Sequence, residues 1–194
     1  MLQQVRPAVV MMALFTLFFG LAYPLAMTGV AGVLFPSQAG GSLIKDASGH
    51  VIGSSLIAQG FAKPEYLHPR PSAAGNGYDP TSSGGSNLGP LDPKLIAQVK
   101  ANADAIRKDD PNADIPADAV TNSGSGLDPD VSPANAQMQA PRIAKARGAT
   151  VSEVLAVIDG ETDQPFLGFI GQPGVNVLAV NLNLDRRYPL AAHK

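Results

Sequence analysis

Apolar and polar positions follow three different patterns along this chain. From residue 7 to 35 apolar residues run almost unbroken, PAVVMMALFTLFFGLAYPLAMTGVAGVLF. As a helix this stretch would reach about 43 Å, and a hydrocarbon core of about 30 Å needs only about 20 residues. Pro7 suits a first helical turn and Pro36-Ser37 marks an end. The pattern predicts one retained transmembrane helix, residues 7–35, after a short N-terminal segment, residues 1–6. A cleaved signal peptide is the alternative, but its apolar region covers about 7–15 residues, roughly half of what stands here.

Beyond the span the pattern becomes mixed. Residues 42–59 read as a β-hairpin, with Leu43-Ile44 and Val51-Ile52 flanking a turn of Asp46, Ser48 and Gly49. Residues 64–90 hold five Pro and five Gly and predict a long irregular loop. Glu65, Tyr66, His68, Arg70, Tyr78 and Asp79 lie in it; an ordered binding loop is the functional reading and a mobile spacer the plain one. Asp92-Pro93 then opens a helix with the apolar stripe Leu95, Ile96, Val99, Ala103 and Ile106, ended by Asp109-Asp110-Pro111. Ser132-Pro133 opens an Ala-rich helix to Arg147, with a kink or break predicted at Pro141. Thr150 and Glu153 form a capping box for a short helix through Ile158.

Finally, residues 175–184 (VNVLAVNLNL) alternate, which predicts a half-buried strand pairing with the first hairpin. The expected fold is a single transmembrane helix followed by an extracytoplasmic α+β domain, residues 36–194, with a small β-sheet, several helices and long loops.

Charge sharpens the first pattern. No charged residue stands between Arg6 and Lys45, a gap of 38 residues, while the whole chain has a net charge of −2. Near neutrality argues against a general electrostatic grip on nucleic acid or anionic lipid. Arg6 beside the span places the N-terminus in the cytoplasm and exports the rest. Zero Cys suits an oxidising compartment. Within the span, Ala22, Ala26, Gly29 and Val33 share one helical face. Small residues at that spacing admit a neighbouring backbone; the face either packs on partner helices or simply meets lipid. Pro24 removes the helical bond to Gly20.

Catalytic motifs fail one by one. Gly84-Gly85-Ser86-Asn87-Leu88-Gly89 has a P-loop frame, but Pro90 stands where Lys must reach the phosphates. Ser83-Gly84-Gly85 echoes an ATP-binding-cassette signature only as a tripeptide. His50, His68 and His193 are scattered singly, without zinc spacing. Asp128, Asp130 and Ser132 have EF-hand spacing, but Pro133 replaces the required Gly. Ser42 and Lys45 match S-x-x-K on a predicted strand, where they face apart. These residues describe an accessory subunit with no bound cofactor and no metal.

Six blocks then add up to a resemblance. Gly41-Ser42-Leu43-Ile44, Gly53-Ser54-Ser55-Leu56-Ile57 with Gln59, Tyr66-Leu67-His68-Pro69-Arg70-Pro71-Ser72-Ala73, Ser83-Gly84-Gly85-Ser86-Asn87-Leu88-Gly89-Pro90, Ser123-Gly124-Ser125-Gly126-Leu127-Asp128, and Val175-Asn176-Val177-Leu178 followed by Leu182-Asn183-Leu184-Asp185 occur in order. Together they resemble KdpC, the C-subunit family of the Kdp potassium-transporting P-type ATPase. Leu67 departs from the aromatic residue that often stands there.

The resemblance implies a bacterial inner-membrane complex with a channel-like potassium-translocating subunit, a P-type ATPase subunit that binds ATP, and a small single-span subunit. It implies no independent enzymatic activity for this chain. The family is described as a catalytic chaperone raising the ATP affinity of the pump subunit, and also as an external-face assembly or gating factor. With the N-terminus inside, any effect on ATP would be a coupling carried through partners. The expected partner interface comprises Ala22, Ala26 and Gly29 in the span, and His68, Arg70, Ser83, Gly84, Gly85, Asn87 and Asp128 outside it. Asn87 and Asp128 would serve either as hydrogen-bonding anchors to the partner or as internal stabilisers of the loop.

Overall fold

A computed structural model describes residues 2–190, leaving His193 outside the described residues. The chain forms two compact units that part between Ile52 and Gly53.

The first unit is dominated by one continuous helix, Val5–Leu34, 30 residues long with a mean hydropathy of 2.1. It is long and apolar enough to cross a membrane. Its two α-helical parts, α1 (Val5–Leu17) and α2 (Tyr23–Leu34), are joined by a π-helical turn, Phe18–Ala22. The wide turn answers Pro24. Proline has no N–H to give Gly20 and its ring crowds that carbonyl, so the helix widens here and the Tyr23 N–H bonds to Phe18. Thr28 donates its hydroxyl to the Pro24 carbonyl at 2.9 Å.

A single turn, α3 (Pro36–Ala39), leads into β1 (Leu43–Lys45) and β2 (Val51–Ser54), which pair as the expected hairpin. Asp46 organises the turn: its carboxylate accepts from the N–H groups of Ser48 and His50, and Gly49 supplies a φ of +87°.

The second unit follows with α4 (Pro93–Asp109), α5 (Ala117–Val120), β3 (Asp130–Val131), α6 (Pro133–Arg147), α7 (Val151–Gly160), β4 (Thr162–Asp163), β5 (Gly174–Asn176) and α8 (Val177–Arg187). Helix starts are written in the sequence: Asp92, Ser132 and Thr150 each accept a first-turn N–H, and Thr150 with Glu153 completes a capping box. Gly148, at φ +66°, closes α6. The core lies between α6, α7 and α8, where Ala140, Ile143, Val154, Ile158, Val180 and Leu184 are fully buried.

Three expectations are corrected. Residues 175–184 are not one strand: β5 is three residues long and α8 begins at Val177, capped by the Asn176 side chain on the Ala179 N–H. Nor does this segment pair with the first hairpin. β5 is the centre of a separate antiparallel sheet ordered β3-β5-β4, with Val175 opposite Val131 and Thr162. Of the kink or break expected at Pro141, the break is absent, since α6 runs unbroken from Pro133 to Arg147.

Candidate functional site

The long loop is ordered, and helix side chains hold its backbone. Leu67 is fully buried with no strand beside it, so its peptide groups need other partners. Asn181 on α8 supplies both: its Oδ1 accepts from the Leu67 N–H at 2.7 Å, and its Nδ2 donates to the Leu67 carbonyl at 2.9 Å. Gln139 on α6 repeats the arrangement at His68, with bonds of 2.9 and 3.1 Å. Two amide side chains thus do what a neighbouring strand would do.

Two arginines extend the clamp. On α6, Asn135, Gln139 and Arg142 fall at i, i+4 and i+7 on one face. Gln139 donates to Asn135, and Arg142 donates to the carbonyls of Pro64 and Tyr66 and to Gln139 Oε1. Arg147, whose side chain is wholly buried, donates to the carbonyls of Glu65 and Tyr188 and to Asp185 at 2.8 Å. Its guanidinium also stacks 5.0 Å from the Tyr66 ring centroid.

His68 turns its Nε2 to the Lys63 carbonyl at 2.9 Å, with Arg142 Nη1 3.3 Å away. Burial and then the Arg142 charge hold its pKa below the ordinary value, against the opposing effect of the Lys63 bond. A neutral ring donating from Nε2 fits these neighbours.

A second junction joins the loop to the turn at 121–128. Arg70 pairs with Asp128 at 2.9 Å and donates to the Asn122 carbonyl; its Nε is buried without a hydrogen-bond partner. Ser72 donates to the Gly126 carbonyl and accepts from the Ala74 and Tyr78 N–H groups. Tyr78 returns its hydroxyl to the Arg70 carbonyl. The Gly84 N–H and Ser83 hydroxyl both donate to the Ser125 carbonyl.

Gly126 is required here. At φ +67° a Cβ would stand 2.7 Å from the Ala74 nitrogen and 2.8 Å from the Gly84 oxygen. A Cβ on Gly85 would stand 3.0 Å from the Gly124 carbonyl oxygen. Behind the junction, Asp118 accepts from Ser132 and Asn135. Burial pushes its carboxyl up, but those bonds outweigh burial and hold it below the usual range. An open cleft of about 1310 Å³ lies between α4, α6 and the loop, with Phe61, His68, Tyr78, Ile106 and Arg142 among its walls.

The structure places His68 in the first clamp, and brings Arg70, Ser83, Gly84, Gly85 and Asp128 together at the second junction. Asn87 stands at its exposed edge at φ +53°. Ala22, Ala26 and Gly29 belong to the other unit, exposed along the helix, and a Cβ on Gly29 would meet nothing within 4 Å. Among the described residues no cluster has the makings of a metal site.

A family model described as KdpC, K+-transporting ATPase, c chain, matches residues 5–186. The chain belongs to the KdpC family. It is similar to a potassium-transporting ATPase KdpC subunit of Caulobacter sp. (strain K31), 64% identical over 194 residues, covering 100% of this chain and 99% of that one. The corresponding subunit of Rhodospirillum rubrum is 53% identical over 193 residues, covering 98% and 100%. That of Mycobacterium bovis is 49% identical over 189 residues, covering 96% and 100%.

In this KdpC-family chain the sequence reading found the loop but missed its holders, Asn135, Gln139, Arg142, Arg147 and Asn181. A signal existed for Asn181. With Val177, Val180 and Leu184 it falls at i, i+3, i+4 and i+7, the spacing of a buried helix face, and an amide among such residues must bond something inside.

Proposed function

We propose that this chain is an accessory subunit of an ATP-driven potassium uptake complex, anchored by the helix Val5–Leu34 with its N-terminus in the cytoplasm and its second unit exported. The observation that carries this reading is the likeness to potassium-transporting ATPase KdpC subunits along the whole chain, anchor helix and clamped loop alike. Its partners are the channel-like potassium-translocating subunit, the P-type ATPase subunit, which binds the ATP, and the small single-span subunit. The loop Tyr66–Pro90 and the turn Ser123–Asp128 dock on the potassium-translocating subunit, and Ala22, Ala26 and Gly29 pack against its helices or those of the pump.

The geometry supports a docking role. A loop whose backbone is already fixed at Leu67, His68, Arg70 and Ser72 loses little entropy when it meets a partner. In this reading Arg70 and Asp128 act as positioning residues that set the loop's shape, and exposed Asn87 meets the partner directly. The chain raises the ATP affinity of the pump subunit as a catalytic chaperone, by a coupling through the span. Co-purification from membranes tests assembly. Arg70→Ala, in a protein that still folds, is expected to reduce recovery of the other subunits; undiminished recovery with unchanged ATPase activity would refute the docking role.

A further inference from the structure

The connection between β4 and β5, residues 164–173, carries a dense group of exposed apolar side chains in the second unit. Phe166, Leu167, Phe169 and Ile170 are 70, 69, 75 and 51% exposed, four of five consecutive residues. No charge stands between Asp163 and Asp185. Soluble surfaces scatter such side chains singly; a group of them marks a contact.

Part of the backbone of this tip is paired internally. Phe166 and Ile170 exchange both N–H···O bonds at 2.9 Å, and the Pro165 carbonyl accepts from Gly168 at 2.9 Å. The second bond closes a four-residue turn whose third residue, Leu167, sits at φ +55°. That conformation favours Gly or Asn. A leucine held there is placed for its side chain rather than for the turn.

We propose that this hairpin tip inserts into the headgroup–acyl boundary of the bilayer, a second membrane contact besides the helix. Three observations select lipid as the occupant. The tip carries no charge that would oppose entry into a low-dielectric medium, and the pairing of Phe166 with Ile170 and of Gly168 with Pro165 lowers the cost of leaving water, while the headgroup boundary still hydrates the remaining peptide groups. Two residues on either side of Gly168 give a reach of about 7 Å at strand rise, which matches the burial of about 5–10 Å typical of interfacial segments. The inference rests on the anchoring of the chain by its helix, which raises the tip's effective concentration at the surface.

The chain contains no Trp, so Phe169→Trp creates a sole indole reporter at an exposed site. The full chain is reconstituted in phosphatidylcholine vesicles with and without acyl-chain bromine. Leu91→Trp, at a residue 87% exposed elsewhere in the same unit, is the control. Emission of the Phe169→Trp chain is expected to shift to the blue and to fall at least about two-fold in brominated lipid, with the Leu91→Trp chain unaffected. High salt leaves the quenching unchanged, because no charge is involved. Leu167→Trp, on the same tip, gives an independent second reading.

Absence of quenching at both tip positions, or equal quenching at Leu91→Trp, overturns the proposal. So does a blue shift that arises without bromine quenching only when the other subunits are added, since the occupant is then protein. Flotation with the vesicles reports the helix anchor separately: a chain that floats without tip quenching refutes the insertion alone, and one that does not float refutes the anchor and the insertion together.

Discussion

The fully buried Leu67 peptide depends for both its N–H and its C=O on one side chain, Asn181. Asn181→Leu keeps the branched shape of the side chain but orphans both groups, at about 1–3 kcal/mol each. Chemical denaturation should show a loss of about 3 kcal/mol. Asn183→Leu, which removes only a half-buried bond to Glu161, should cost about 1 kcal/mol or less. Next to Leu67, His68 is held neutral by burial and by Arg142. Its folded pKa lies below the unfolded value of about 6.5, so the unfolded chain takes up the proton first as pH falls. Stability is therefore complete above about pH 6.5 and declines as the pH drops from there toward the depressed folded value. Thermal melts between neutral and mildly acidic pH should show this decline in the wild type and a smaller one in His68→Gln.

At the scale of elements, what could be read from the sequence depended on whether a segment's signal was local. The starts of α4, α6 and α7 were legible because a cap is a contact within four residues, and the first hairpin because Asp46 and Gly49 make its turn locally. The segment at 175–184 was misread because VNVLAVNLNL satisfies two periods at once. Alternation puts Leu178, Val180, Leu182 and Leu184 together, whereas the helical period puts Val177, Val180, Asn181 and Leu184 together; these four, with Leu178, are the buried residues of α8, which packs against α7. Asn176, capping the Ala179 N–H, was the local cue that separated them. The loop clamp was hidden for a different reason: its bonds join residues 71 to 114 positions apart, which no local pattern encodes. Pro141 shows tertiary packing overriding propensity, since α6 is held at Ser132, Gln139 and Arg142 and its face toward α7 is buried. The ring is exposed and still forfeits one helical bond. Pro141→Ala should raise stability by about 1–2 kcal/mol, part of the roughly 3 kcal/mol that proline costs a helix interior being offset by a freer unfolded chain. A higher midpoint in urea at unchanged slope would show it.

At the scale of the whole molecule, the charge gap decides what kind of influence the chain can have. In the proposed orientation, with Arg6 inside, the loop residues lie across the membrane from cytoplasmic ATP, and an effect on the pump is carried through partners, by way of the span or of the docked loop. On the proposed helix face, Ala26 and Gly29 lie open on α2 just beyond the π turn. Leucine at both positions keeps the helix apolar and long enough to span, but fills the space into which a neighbouring backbone would fit. Ala26→Leu with Gly29→Leu should therefore leave the melting of the second unit unchanged while weakening the coupling between this chain and its partners. Coupling free energies of about 1–3 kcal/mol correspond to shifts of about 5- to 150-fold. The KM for ATP of the purified complex should rise by at least several-fold, while its maximal rate at saturating ATP changes less. If the doubly substituted chain co-purifies in full and KM for ATP does not move, the helix face is only an anchor and the chain acts from the exported side alone.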